Sequence, residues 1–122
     1  MEFNTLYEIV KHSVEKFSKR IAFSMIGGED VSYKEVGERI EKVQDLLLNA
    51  GVNAGDKVAI LSSSMPNWGV SYFAVTTAGM IAVPILPDFT PALSNISCTF
   101  SMRSPASLYE TSSPPIIEKA MR

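Results

Sequence analysis

Apolar positions recur along the first half of the chain at helical spacing, broken once by a hairpin pattern. Leu6, Ile9, Val10, Val14 and Phe17 fall on one face, while Glu8, Lys11, Glu15 and Lys19 lie largely off it. This spacing predicts an amphipathic helix from Leu6 to about Lys19, begun by a Thr5/Glu8 capping box in which hydroxyl and carboxylate each take an orphan amide. Ile21 to Ile26 reads as a strand, Gly27-Gly28-Glu29-Asp30 as a turn, and Val31-Ser32-Tyr33 as the returning arm of a hairpin. Ser32 and Glu35 repeat the capping pair. A second helix, about Tyr33 to Ala50, turns Val36, Ile40, Val43 and Leu47 inward and shows Lys34, Glu38, Glu41, Lys42 and Asp45 to water, with Gly51 as its stop.

The pattern then loses its polar positions. After a turn at Asn53-Ala54-Gly55-Asp56, Val58 to Leu61 is a short apolar run, the signature of a strand buried on both faces. Ser62 to Pro66 break it, and Asn67 to Ala78 forms a helix whose rows Trp68-Tyr72-Val75 and Val70-Phe73-Ala74-Thr77 leave almost no polar side. Gly79 ends that helix, and Ile81 to Leu86 is a second apolar strand. Strand, helix and strand with short connections predict a right-handed parallel βαβ unit. Pro84 lacks an amide donor, so its strand belongs near an edge or an irregularity. The fold class is α/β, part of a three-layer arrangement on a parallel sheet.

No charge occurs from Val58 to Pro87, a length that could cross a bilayer as a helix. Pro66, Pro84, Asn67 and the interspersed Ser and Thr argue against a span, and burial inside protein is expected instead. Beyond Pro91 the character changes. Ala92 to Arg122 is rich in Ser and Pro, keeps neither period for long, and is expected to be poorly ordered or loosely docked, with a short helical piece at Ile116 to Met121.

The length of 122 residues suits one domain with a real core. Eleven Lys and Arg against thirteen Asp and Glu give a net charge of -2 with no basic block, which speaks against nucleic acid as a partner. A single cysteine, Cys98, excludes an internal disulfide framework, and the first helix carries Glu and Lys throughout rather than a leader's apolar run. A cytoplasmic location is the expectation.

Candidate chemistry is sparse. His12 is the only base available to a Ser or Cys nucleophile, and it falls off the apolar face of the first helix, so a solvated surface histidine is expected. Ser62-Ser63-Ser64 follows a predicted parallel strand, where α/β sheets often bind ligands, yet it has neither glycine nor a following Lys; a plain loop and an anion contact both remain open. Glu35, Glu38, Glu41 and Asp45 line one side of the second helix, interleaved with Lys34 and Lys42, as a solvated face would. Trp68, Tyr72 and Phe73 read as core or as the lining of an apolar ligand pocket. No metal-ligand spacing surrounds His12 or Cys98. No catalytic, cofactor-binding or metal residue is assigned.

The order of segments resembles the N-terminal part of the AMP-forming acyl-CoA synthetases, within the adenylate-forming enzymes. Val31-Ser32-Tyr33-Lys34-Glu35-Val36 is similar to the family's Leu-Thr-Tyr-x-Glu-Leu segment. Gly55-Asp56-Lys57-Val58-Ala59-Ile60-Leu61, followed by Ser64-Met65-Pro66-Asn67-Trp68, resembles its Gly-Asp-Arg-Val-Ala-Ile run and Asn-x-Pro-Glu-Trp helix start. Ala78-Gly79-Met80-Ile81-Ala82-Val83-Pro84, continuing to Pro87 and Thr90-Pro91, resembles its Ala-Gly-x-x-x-Val-Pro motif. On this resemblance residues 1–91 form a partial AMP-binding region and 92–122 an atypical tail.

The resemblance implies ATP-dependent activation of a carboxylic acid, often a fatty acid, to an acyl-adenylate and its transfer to coenzyme A, with Mg2+ accompanying ATP. The family's phosphate loop, nucleotide motifs and catalytic lysine come later than this chain reaches. The matched positions are scaffold, and the chain is expected to need no cofactor and to be inactive alone. The tail departs from the family, as would follow if a frameshift near Pro91 made it out-of-frame sequence; the gene locus decides this by whether another frame downstream encodes the phosphate loop. Two other readings stand beside the ligase: an interaction protein, such as half of a split ligase or a self-associating chain joined through exposed core surface, and a flavodoxin-like binding module.

Overall fold

The hydroxyl of Ser32 accepts the Glu35 amide at 3.3 Å while the Glu35 carboxylate accepts the Ser32 amide at 2.8 Å, and from this closed capping box the longest described helix starts. The computed structural model describes residues 2–62, 64–85 and 98–102. In order, the elements are α1 (Leu6–Lys16), β1 (Ile21–Ser24), β2 (Asp30–Ser32), α2 (Tyr33–Asn49), β3 (Lys57–Leu61), α3 (Pro66–Thr77), β4 (Ile81–Ile85) and β5 (Cys98–Met102).

The start of α1 departs slightly from the expected box. Thr5 caps the Glu8 amide, but the Glu8 carboxylate takes the amide of Asn4, one residue upstream of Thr5, at 2.8 Å. The helix also stops at Lys16 rather than Lys19, because residues 18–20 are needed elsewhere. The carbonyls of Ser18 and Arg20 accept the amides of Lys34 and Tyr33, which open α2 and have no partner within that helix. The apolar stripe of α1 is only half covered: Leu6 and Ile9 remain 39% and 43% exposed.

In the hairpin, β1 pairs antiparallel with β2 in the register Phe23↔Val31 and Ser24↔Asp30, with an irregularity between Ile21 and Phe23. Strand β1 ends at Ser24, short of Ile26, because the Gly28 amide turns back to the Met25 carbonyl and Gly27 adopts φ 71°. Ile26 is left fully exposed at the tip. The inward face of α2 is as expected, with Val36, Ile40, Val43 and Leu47 buried, and Val52 closes its end by donating to the Leu47 carbonyl.

Strands β3 and β4 run parallel, Val58 opposite Ala82 and Leu61 opposite Ile85, with α3 between them in sequence. Pro84 sits on β4, which lies at an edge of the β4-β3-β5 sheet. The sheet is mixed rather than purely parallel, since β5 pairs antiparallel with the other side of β3. This strand falls inside the tail, where the periodicity predicts no element. It supplies partners to the second row of amides and carbonyls on β3, whose residues Val58 to Leu61 are buried and could not leave those groups unpaired. Leu86 and the remaining tail, including Ile116 to Met121, lie outside the described residues.

Helix α3 begins with Pro66 in its first turn and contains no exposed residue. It contacts β3 and β4 on one side and α1 and α2 on others. Its main apolar positions, Val70, Ala74 and Val75, join Val31, Val36, Val43 and Val58 in one core. Gln44 of α2 donates to the Ala74 carbonyl at 3.1 Å and to the Thr77 hydroxyl at 2.9 Å, so its partly buried amide is matched where the helices meet.

Two glycines let elements approach closely. A Cβ on Gly37 would lie 2.6 Å from Val14 Cγ1 of α1, and one on Gly69 would lie 2.6 Å from Phe23 Cζ of the hairpin. The hairpin is also tied to both helices by Arg39, whose guanidinium meets the Glu29 carboxylate at 3.0 and 3.3 Å and the Asn67 side-chain oxygen at 3.0 Å. Hydrogen bonding from Arg39 holds the Glu29 carboxyl below its ordinary range and, reciprocally, raises the guanidinium.

Two outcomes are expected. Gly69→Ala costs about 1–3 kcal/mol by overpacking although alanine favours helix; in a Phe23→Leu background the same change costs much less, and an equal cost in both, read by denaturant unfolding, would rule out the contact. Because the folded pKa of Glu29 is depressed, its pairing stabilises the chain above the unfolded carboxylate pKa and is lost as pH falls through the folded one. Glu29 is half exposed, so Glu29→Gln costs no more than about 1 kcal/mol at neutral pH, and the gap to wild type closes in acid.

Candidate functional site

The carboxyl ends of β3 and β4 point the same way, and the chain leaves β3 through the serine loop that the sequence singles out. Ser62 is 5% exposed and Ser64 is exposed; Ser63 lies outside the described residues. The loop delivers the chain to α3 through Met65, an extended N-cap whose side chain caps nothing. Pro66 brings no amide, and the Trp68 amide is taken by the Met65 carbonyl at 3.0 Å. Asn67 holds Arg39, and Arg39 in turn is neutralised by Glu29, so this cation is committed to structure. Among the described residues the arrangement is an anchored turn whose nearby cation, Arg39, is already paired.

The carboxylates of α2 are also committed or solvated. The Ser32 amide and hydroxyl bond Glu35 at 2.8 and 2.7 Å and lower its pKa, which keeps it a charged cap rather than a proton donor. Glu38 faces Lys34 at 3.8 Å in an exposed pair, and Glu41 and Asp45 are exposed. His12 is partly covered rather than freely solvated, because its ring packs on Phe3 with centroids 5.1 Å apart. Cys98 opens β5 opposite Leu61. Among the described residues no group of three or more His, Cys, Asp or Glu could hold a metal ion. No helix there is long and apolar enough to cross a membrane.

The aromatic row on α3 divides. Trp68 and Tyr72 stack with centroids 5.4 Å apart and planes 8° from parallel, while Phe73 turns toward the hairpin side. There it lines a cavity of about 250 Å³ together with residues of α1, β1 and the start of α2. Sequence reasoning left Phe73 between core and pocket lining, and it is both. The cavity itself has no sequence signature, since it depends on how far α1 stands from the hairpin.

Comparison with known proteins gives a consistent picture. The long-chain-fatty-acid–CoA ligase of Salmonella typhimurium is 28% identical over 90 residues, covering 73% of this chain and 16% of the ligase. The feruloyl-CoA synthase of an Amycolatopsis species is 30% identical over 84 residues, 65% of this chain and 17% of the synthase. The chain thus spans less than a fifth of these curated relatives. In fold it is similar to the N-terminal subdomain of NpsA from Klebsiella oxytoca, with a TM-score of 0.66 at 22% identity over 70% of this chain and 22% of that one. Residues 10–95 match the AMP-binding enzyme family, and the chain belongs to that family.

Proposed function

We propose that this chain provides N-terminal scaffold for an ATP-dependent, AMP-forming ligase that joins a carboxylic acid, a fatty acid by preference, to coenzyme A in the cytosol, and that its 122 residues do not adenylate by themselves. The observation that carries this reading is the family match over residues 10–95 on a fold in which Glu35, Arg39 and Asn67 are committed to structural contacts. Fatty acid is favoured by the Salmonella ligase and its curated counterparts, while feruloyl-CoA synthase among the relatives keeps an aromatic acid in view.

The described residues do not fit ATP or Mg2+. The serine turn carries no lysine, Arg39 is matched by Glu29, and no acidic cluster is assembled. No catalytic step is therefore routed through them. What they do is mechanical: α3 is clamped between helices and sheet, and the turn leaving β3 is held by the Arg39–Asn67 contact.

Incubation of the purified chain with ATP, Mg2+, coenzyme A and a series of fatty and aromatic acids is expected to give no AMP above the no-protein control. Acid-dependent release of AMP would overturn the claim of inactivity and identify the acid at once.

A further inference from the structure

The cavity beneath α1 is bounded by Leu6, Ile9 and Val10 on one side and by Phe23, Val36 and Phe73 on the other. The space is about half open to solvent, and its volume of about 250 Å³ is larger than the ~150 Å³ of an enclosed apolar cavity that takes up benzene. Among the described residues, two that bear a hydroxyl line it. Ser13 donates its hydroxyl to the Ile9 carbonyl at 2.8 Å, within its own helix, and Tyr33 is the other. Among the described residues no Lys, Arg, His, Asp or Glu lines the space, so a charged ligand would find no opposite charge there.

We propose that this cavity is a binding site for a compact, uncharged hydrocarbon ligand about the size of one aromatic ring. The site goes beyond the ligase reading and does not depend on it, because an acid substrate would bring a carboxylate and no cation lines the space among the described residues. Its occupant supplies what α1 lacks. Leu6 and Ile9 keep 39% and 43% of their surface exposed, and no residue of α1 is fully buried. At Val14 the helix is pinned tightly to Gly37, while along Leu6, Ile9 and Val10 it overhangs the gap. A ring in the gap gives those side chains contacts on their open side, so binding and the ordering of α1 are coupled.

The test uses the full chain, with toluene as the probe and benzoate as its charged counterpart. Toluene is expected to raise the melting temperature saturably, to show intermolecular nuclear Overhauser effects to the methyls of Val10 and Val36, and to slow amide exchange in α1. Benzoate is expected to do none of these. Ser13→Leu, which places a better helix former's side chain into the cavity, is expected to fold and to weaken toluene binding by about tenfold or more. Absence of saturable toluene binding to the wild-type chain would overturn the proposal. So would Overhauser contacts outside the cavity, benzoate binding as tightly as toluene, or undiminished binding to a folded Ser13→Leu variant. Should that variant fail to fold, the wild-type contacts decide the matter alone, and none of these results bears on whether the chain releases AMP.

Discussion

Helix α3 has no fully exposed side, and the other elements are arranged by the need to cover it. Its residues Val70, Ala74 and Val75 are completely buried, and none of the twelve is exposed. A helix of this kind gains nothing from amphipathic docking and must be enclosed. The β3–β4 pair closes one side, while α2 closes another and matches its partly buried Gln44 amide to α3 itself. The hairpin reaches α3 through Phe23, which Gly69 admits to within van der Waals range of the backbone. Polar contacts then lock the orientation, with Arg39 joining hairpin, α2 and the first turn of α3.

Much of this was legible in the residues because several local signals agree. Ser32 and Glu35 start α2 where the capping pair says they should, and the four apolar positions of α2 are its buried face. The unbroken apolar rows of α3 and the run from Val58 to Leu61 identify the elements that end up most enclosed. The misses have physical causes as well. Helix α1 ends a turn early because Ser18 and Arg20 cap α2, a long-range demand that its own periodicity does not record. Strand β5 carries a short alternation, Cys98, Phe100 and Met102 against Thr99 and Ser101, but five residues inside a Ser- and Pro-rich tail are a weak signal, and its place is set by the open edge of β3.

The candidate site was less legible than the fold, for a related reason. Serines after a strand and a row of glutamates look alike whether they hold a ligand or merely solvate and cap. Only the partners discriminate: Glu35 belongs to Ser32, Arg39 to Glu29, and Asn67 to Arg39. The family relation explains why a fold can be well specified while its polar groups remain structural, since the chain spans only a small part of the ligases it resembles. The apolar cavity is a separate consequence of packing, created where a half-docked helix meets the hairpin and Phe73.

If enclosure of α3 is the constraint on which the rest depends, local stability should rank with it. Native-state amide exchange measured residue by residue reads that ranking directly. The slowest amides are expected in α3 and β3 and those of α1 are expected to exchange much faster, through local opening. Protection in α1 equal to that of α3, or fast exchange within Val70 to Val75, would contradict this account of the fold.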